Sequence, residues 1–240
     1  MIQEMIGWWE NTKPTTLEQV HFASDPEADN LIKGNVTAFA IAAALDRRGR
    51  AMDIWNVPLG LQRRWGHLDT ARIRQMNPEE VANFPEIQEV PAQVSKFHLG
   101  KTIVDLAEVV QRDCHGDANA LFGGTFKEIL GRLDGIFGIG PGIARMMVIL
   151  RMLYFGLQPE PGGELLPKLD THVQRVFYRT GTVTRCTDAE VRHALRGCDY
   201  RQIAMLDQAA WCLGQDFCWS RQPRCHECPI QGACPKRGIG

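Results

Sequence analysis

Residues 126–154 read F-K-E-I-L-G-R-L-D-G-I-F-G-I-G-P-G-I-A-R-M-M-V-I-L-R-M-L-Y. Phe126, Ile129, Leu130, Leu133 and Phe137 fall at i, i+3, i+4, i+7 and i+11, the apolar stripe of an amphipathic helix. Ile143, Met146, Met147, Leu150 and Tyr154 repeat the pattern. Between the two stripes stands F-G-I-G-P-G, with three glycines and a proline at 137–142. Such a segment makes a tight turn, and Pro141 suits the first position of the second helix, where its missing N–H costs nothing. Gly138, Gly140 and Gly142 allow close backbone approach, and the unpaired N–H groups at the following helix start form an anion site. A helical corner that binds nothing fits the same residues.

The rest of the chain is also helical in pattern. Asn35 to Leu45 is an alanine-rich apolar segment with few polar faces, as expected of a helix buried on most sides. Asn77-Pro78-Glu79-Glu80 reads as an N-cap, a proline at the first helical position and acids in the first turn. Lys96 to Asp113 places Phe97, Val104, Ala107 and Val110 at helical spacing. No alternating run is long enough to make a sheet, so the fold class is all-α.

Cys218, Cys225, Cys228 and Cys234 close the chain, separated by six, two and five residues. Four soft sulfur ligands within one short segment select zinc or an iron–sulfur cluster. Structural zinc sites usually pair two short knuckles across a long insert. One short knuckle flanked by wider gaps suits four ligands wrapped around a cubane, with zinc and disulfides as the alternatives. Cys114, Cys186, Cys198 and Cys212 show no ligand spacing and read as small buried hydrophobes.

At 240 residues the chain has room for one large or two modest domains. Eight cysteines and no basic-then-apolar leader pattern point to a reducing, cytoplasmic compartment, and the longest apolar run is too short to span a bilayer. The net charge of −1 hides an asymmetry. Residues 1–141 hold 14 Lys/Arg against 19 Asp/Glu, whereas residues 142–240 hold 13 against 9. The C-terminal portion therefore has the local charge to face phosphates, or simply a solvated charged surface.

Taken together, F-G-I-G-P-G-I-A-R, then L-D-T-H-V-Q-R-V-F-Y-R at 169–179, then the cysteine spacing resemble the endonuclease III branch of the helix–hairpin–helix (HhH-GPD) DNA glycosylases. The resemblance runs from about residue 30 to about residue 235. It implies a six-helix barrel domain over 30–155, with the helix–hairpin–helix at 126–154. A cluster domain from 1–29 and 156–240 would carry a 4Fe-4S cluster on Cys218, Cys225, Cys228 and Cys234 in loop 218–234. Asp170 matches the catalytic carboxylate, at the end of the Gly/Pro-rich loop 156–170. Cleaving an N-glycosidic bond builds oxocarbenium character, which a fixed carboxylate stabilises. The same Asp170 also reads as a helix N-cap, and His172 and Arg175 as structural or phosphate-facing.

The expected partner is double-stranded DNA with a damaged or mismatched base, bound by a monomer with no membrane association. Gly138, Gly140, Gly142, Arg145, Arg48, Arg221 and Arg224 are the expected DNA contacts, Arg48 filling the gap left by a flipped base. One departure matters. Bifunctional members carry a lysine where this chain has Gly142, and a Schiff base needs an amine. The expectation is therefore a monofunctional enzyme. A lyase using another lysine such as Lys168, and a lesion-binding protein with little catalysis, are the alternatives. Ala42, near the glutamate position of adenine-removing members, disfavours that activity.

Overall fold

The computed structural model describes residues 1–14, 16–47, 50–91 and 94–239. Among them every regular element is helical, and the one β-type contact is an isolated bridge between Thr125 and Glu160. No described helix is long and apolar enough to cross a membrane. The chain forms two compact units, Leu17–Val148 with Pro159–Gly163, and Met1–Thr16 with Ile149–Gln158 and Glu164–Gly240.

In chain order the helices are α1 (Ile2–Thr12), α2 (Pro26–Gly34), α3 (Val36–Leu45), α4 (Ala51–Ile54), α5 (Val57–Trp65), α6 (Thr70–Ile73) and α7 (Pro78–Ala82). They continue with α8 (Pro85–Gln88), α9 (Lys96–Asp113), α10 (Phe126–Asp134), α11 (Pro141–Tyr154), α12 (Thr171–Arg179), α13 (Asp188–Ala194) and α14 (Tyr200–Asp216). A 3-10 turn at Ala118–Phe122 precedes α10.

The larger unit is built around α3. Apolar on all sides, it is buried from Ala38 to Leu45, as its sequence requires, and the Asn35 side chain caps its first turn through Ala38 N at 3.0 Å. Phe39 on this helix meets Trp55 and Phe122 edge-on at 5.7 and 6.0 Å between ring centroids. Residues 17–29, grouped with the C-terminal segment by the resemblance, pack here instead. Phe22 stacks on Trp55 at 5.2 Å, and the Phe22 and Ala23 N–H groups bond to the buried Asp29 carboxylate.

Helix α9 has the expected bounds, but its core face is Leu99, Ile103, Leu106 and Val110. Phe97, assigned to the stripe from spacing, is 45% exposed. The helix turns Leu99 and Gly100 inward, because Gly100 is where α7 crosses it. A Cβ at Gly100 would lie 2.3 Å from Pro78 O and 2.8 Å from Ala82 N, both backbone atoms. Asn77 caps α7 as its sequence predicts, through Glu79 N at 2.9 Å.

In the smaller unit α14 is the central helix, with α1 and α12 packed against it. Its start is fixed by a capping box between Asp199 and Gln202. At its far end Gly214 touches α12, since a Cβ there would sit 2.7 Å from the His172 Cβ and 3.1 Å from its backbone.

Gly100→Ala forces α7 and α9 apart. We expect a loss of about 1–3 kcal/mol, the usual cost of overpacking, read as a lowered urea midpoint with an unchanged m-value. Gly34→Ala, which meets nothing within 4 Å, is the control.

Candidate active site and metal centre

The hairpin belongs to the larger unit. Thr125 and Glu128 form a reciprocal capping box, which starts α10 at Phe126. The helix ends at Asp134, so Phe137 lies outside it, although the i+11 spacing assigned it to the stripe. The chain turns at Gly138, whose φ of 82° favours glycine. Space favours glycine there too. A Cβ would meet Thr102 Oγ1 at 2.4 Å, Arg47 Nη2 at 2.9 Å and His98 Nε2 at 3.0 Å. Arg47 Nη2 donates to Gly138 O at 2.7 Å, and Phe137 N donates to Asp105 Oδ2 at 2.5 Å. The His98 ring lies 4.6 Å from that of Phe137, and Lys101 Nζ sits 4.5 Å from the Phe137 ring centroid. Thus α9 clamps the turn from beneath.

Pro141 opens α11 as expected, and a Cβ on Gly140 would meet nothing, so that glycine is at an open surface. Gly142 and Arg145 follow on α11, both half-buried. Arg48, the expected gap-filling residue, lies outside the described residues. Its neighbour Arg47, which nothing in the local pattern singles out, reaches 91 residues along the chain to hold the hairpin. Burial pushes the Arg47 guanidinium down from its ordinary value, and burial together with the Arg47 charge does the same to His98.

Asp170, in the smaller unit, is the N-cap of α12. Its Oδ1 accepts the His172 and Val173 N–H groups at 2.8 and 3.0 Å. This fixes the carboxylate at a helix N-terminus, where negative charge is favoured. Beneath the turn lies Asp207 of α14, 2% exposed. Asp207 Oδ1 accepts Lys168 N at 2.6 Å, Oδ2 accepts Gln208 Nε2 at 3.0 Å, and Lys168 O accepts Asp170 N at 2.7 Å. Burial first, and then the nearby Asp170 charge, push the Asp207 carboxyl up to about 7. Asp207 carries no motif that marks it as a site residue. Its one signal is an acid inside the apolar run I-A-M-L-D-Q-A-A.

His172 and Arg175 are engaged within the smaller unit. Arg175 Nη2 donates to Gly214 O at 2.7 Å, its Nε donates to Cys218 O, and His172 faces the Trp211 ring at 6.4 Å. One turn on, the buried Arg179 holds the cysteine loop by its carbonyls, with Nη1 on Trp219 O at 2.5 Å and Nη2 on Ser220 O at 3.0 Å. Nothing in the local pattern marked Arg179 for this task.

Cys218, Cys225, Cys228 and Cys234 all line one cavity, walled by Val176, Leu213, Phe217 and Ile230. None is in a disulfide. Arg179 Nη1 points at Cys218 Sγ from 3.5 Å. Burial, and then the three neighbouring cysteines, push the Cys228 thiol up, so four thiolates together here call for a positive centre. Among the described residues no three His, Cys, Asp or Glu side chains are gathered tightly enough to grip a metal ion. The donor set itself fits a sulfur-ligated cluster, with soft ligands, apolar walls and an N–H directed at sulfur.

Arg221 is exposed, and Arg224, also solvent-accessible, pairs with Glu227 at the surface and lies over the Trp219 ring at 5.5 Å. Of the remaining cysteines only Cys114 is fully buried.

This is the fold of endonuclease III and its helix–hairpin–helix relatives. The match covers 98% of this chain and 92% of an endonuclease III trapped as a covalent intermediate with DNA, with a TM-score of 0.65 and 17% identity. A non-covalent endonuclease III–DNA complex gives 0.65 and 18% over the same shares, and a thermostable thymine-DNA glycosylase gives 0.64 and 16% over 98% and 94%. In sequence the chain is similar to an endonuclease III homolog of Encephalitozoon cuniculi (strain GB-M1), 31% identical over 96 residues. That match spans 40% of this chain and 38% of the relative. No protein-family model matches the chain.

Asp207 makes stability depend on pH. Its carboxyl ordinarily titrates at 3.8 and here near 7, so between those values the folded chain keeps a proton that the unfolded chain has lost. This contribution is complete below the lower value and is lost as pH rises through the upper one. Asp207→Asn, which cannot ionise, should raise Tm relative to the parent more at about pH 8 than at about pH 5. Thermal melts across that range give the difference, and a gap that shrinks with rising pH contradicts the assignment.

Proposed function

We propose that this protein is a DNA glycosylase that flips a damaged or mismatched base out of the duplex and hydrolyses its N-glycosidic bond. The observation that carries the reading is Asp170, a carboxylate fixed by two backbone N–H groups at the start of α12, in a chain with the endonuclease III fold. As the base departs, positive charge grows on the sugar. A carboxylate already held in place stabilises that charge without reorganisation and can orient the attacking water. The hairpin at Gly138–Gly142, with the first turn of α11, supplies backbone N–H groups for a DNA phosphate, and exposed Arg221 supplies a charge for another.

Base removal without strand cleavage is the favoured form, since Gly142 has no amine with which to form a Schiff base. Adenine is disfavoured as the target, because Ala42 is buried in α3 and brings no acid. The four cysteines would hold a 4Fe-4S cluster, which supplies tethering of loop 218–234 to α12 rather than chemistry on the base.

A panel of duplexes with uracil, thymine opposite guanine, oxidised pyrimidines or alkylated purines tests the activity. Asp170→Asn should lower base release by at least about a thousandfold while leaving duplex affinity within a few-fold, because the carboxylate acts in the transition state. Unchanged turnover would remove Asp170 from its role, and tight binding with no abasic product supports a lesion-binding protein. Borohydride should trap little covalent complex. A strong trap that disappears in Lys168→Ala establishes the lyase alternative.

The cluster has its own test. The purified protein should be brown and absorb in the visible, and lose that absorption in Cys225→Ser. A colourless protein containing stoichiometric zinc overturns this cofactor.

A further inference from the structure

We propose that Asp207 is a positioning residue for the Asp170 carboxylate, holding the Lys168–Asp170 turn from beneath through the Lys168 peptide group. The inference rests on the glycosylase reading for its catalytic consequence, but its geometry stands independently. The Lys168 peptide is bonded on both sides. Its N–H donates to Asp207 Oδ1 at 2.6 Å, and its carbonyl accepts Asp170 N at 2.7 Å. Asp170 Oδ1 then accepts His172 N and Val173 N. One continuous chain of hydrogen bonds therefore runs from the centre of α14 to the first turn of α12.

A carboxyl group is a costly choice for this task. Asparagine presents the same acceptor to Lys168 N without the expense of burying an ionisable group. What the acid adds is a charge that changes with pH. The groups acting on Asp207 from the turn are Asp170, which opposes its ionisation, and Lys168, which favours it. On its own helix Gln208 bonds its second oxygen, and the thiol of Cys212 senses its charge. The other charged groups nearby are engaged elsewhere, Arg175 on Gly214 O and Cys218 O, and Lys13 of α1 on Asp216. An ionised Asp207 thus adds a second negative charge close to Asp170, which favours a cation developing there. With the carboxyl titrating near 7, base release should rise through neutral pH.

The test compares the full-length parent with Asp207→Leu and Asp207→Asn in two measurements. Backbone amide exchange reads the geometry without requiring activity. Lys168 and Asp170 N–H should exchange at least about tenfold faster in Asp207→Leu and return toward the parent rate in Asp207→Asn. Single-turnover base release, on whichever duplex of the panel the parent cleaves, reads the catalytic consequence. Asp207→Leu should slow it by about 10–100-fold with duplex affinity changed less than about twofold, as a misplaced catalytic group does. Asp207→Asn should recover much of the rate at about pH 6 but lose the rise between about pH 6 and about pH 8.

Unchanged Lys168 exchange in Asp207→Leu overturns the positioning role. An unaltered pH profile in Asp207→Asn overturns the electrostatic one. If the parent releases no base from any duplex, the glycosylase reading fails, and amide exchange still decides whether Asp207 holds the turn.

Discussion

Nine residues, Thr171–Arg179, tie the candidate catalytic carboxylate of this protein to its four-cysteine loop. At one end of α12 the Asp170 carboxylate terminates the helix by accepting two of its orphan N–H groups. At the other, Arg175 and Arg179 reach past the helix to the carbonyls of Gly214, Cys218, Trp219 and Ser220. A guanidinium offers several donors in a rigid fork, so two side chains fix a loop that has no secondary structure of its own. The arrangement depends on α12 lying against α14 at Gly214, where the backbones approach too closely for any side chain. Move that crossing, and both the carboxylate and the cysteine loop move with it.

The larger unit solves a similar problem differently. Its hairpin has three glycines and few interactions of its own, and a turn so composed loses much conformational entropy on ordering. Rigidity is imported from α9 and from Arg47, which take hold of Phe137 and Gly138. The cost is a partly buried guanidinium whose Nε finds no hydrogen-bond partner among the described residues. A structure that accepts such a cost has placed its stability where the turn must not move.

Much of this was legible in the sequence wherever the deciding forces are local. The alanine-rich run of α3, the Asn77 cap, the start of α11 at Pro141 and the bounds of α9 each follow from neighbours within a few residues. The cysteine spacing was also local, and it led to a cavity that all four cysteines line. What stayed hidden were side chains whose partners lie tens of residues away. Arg47 shows nothing in its neighbourhood that points to Gly138, 91 residues on. Asp207 and Arg179 looked like incidental polar residues on helices. Phe137 kept the helical period by coincidence, because spacing alone does not register that the backbone has already turned.

Gly138 and Gly214 have a consequence for how such a chain can change over generations. The fold itself accommodates wide sequence change, since a solved protein only 17% identical superposes with a TM-score of 0.65. At these two positions the first carbon of any side chain collides with what lies opposite. Much of the sequence can thus change within this fold, while a side chain at either of these two points carries a steric cost. The shape is inherited through the places where an atom is missing.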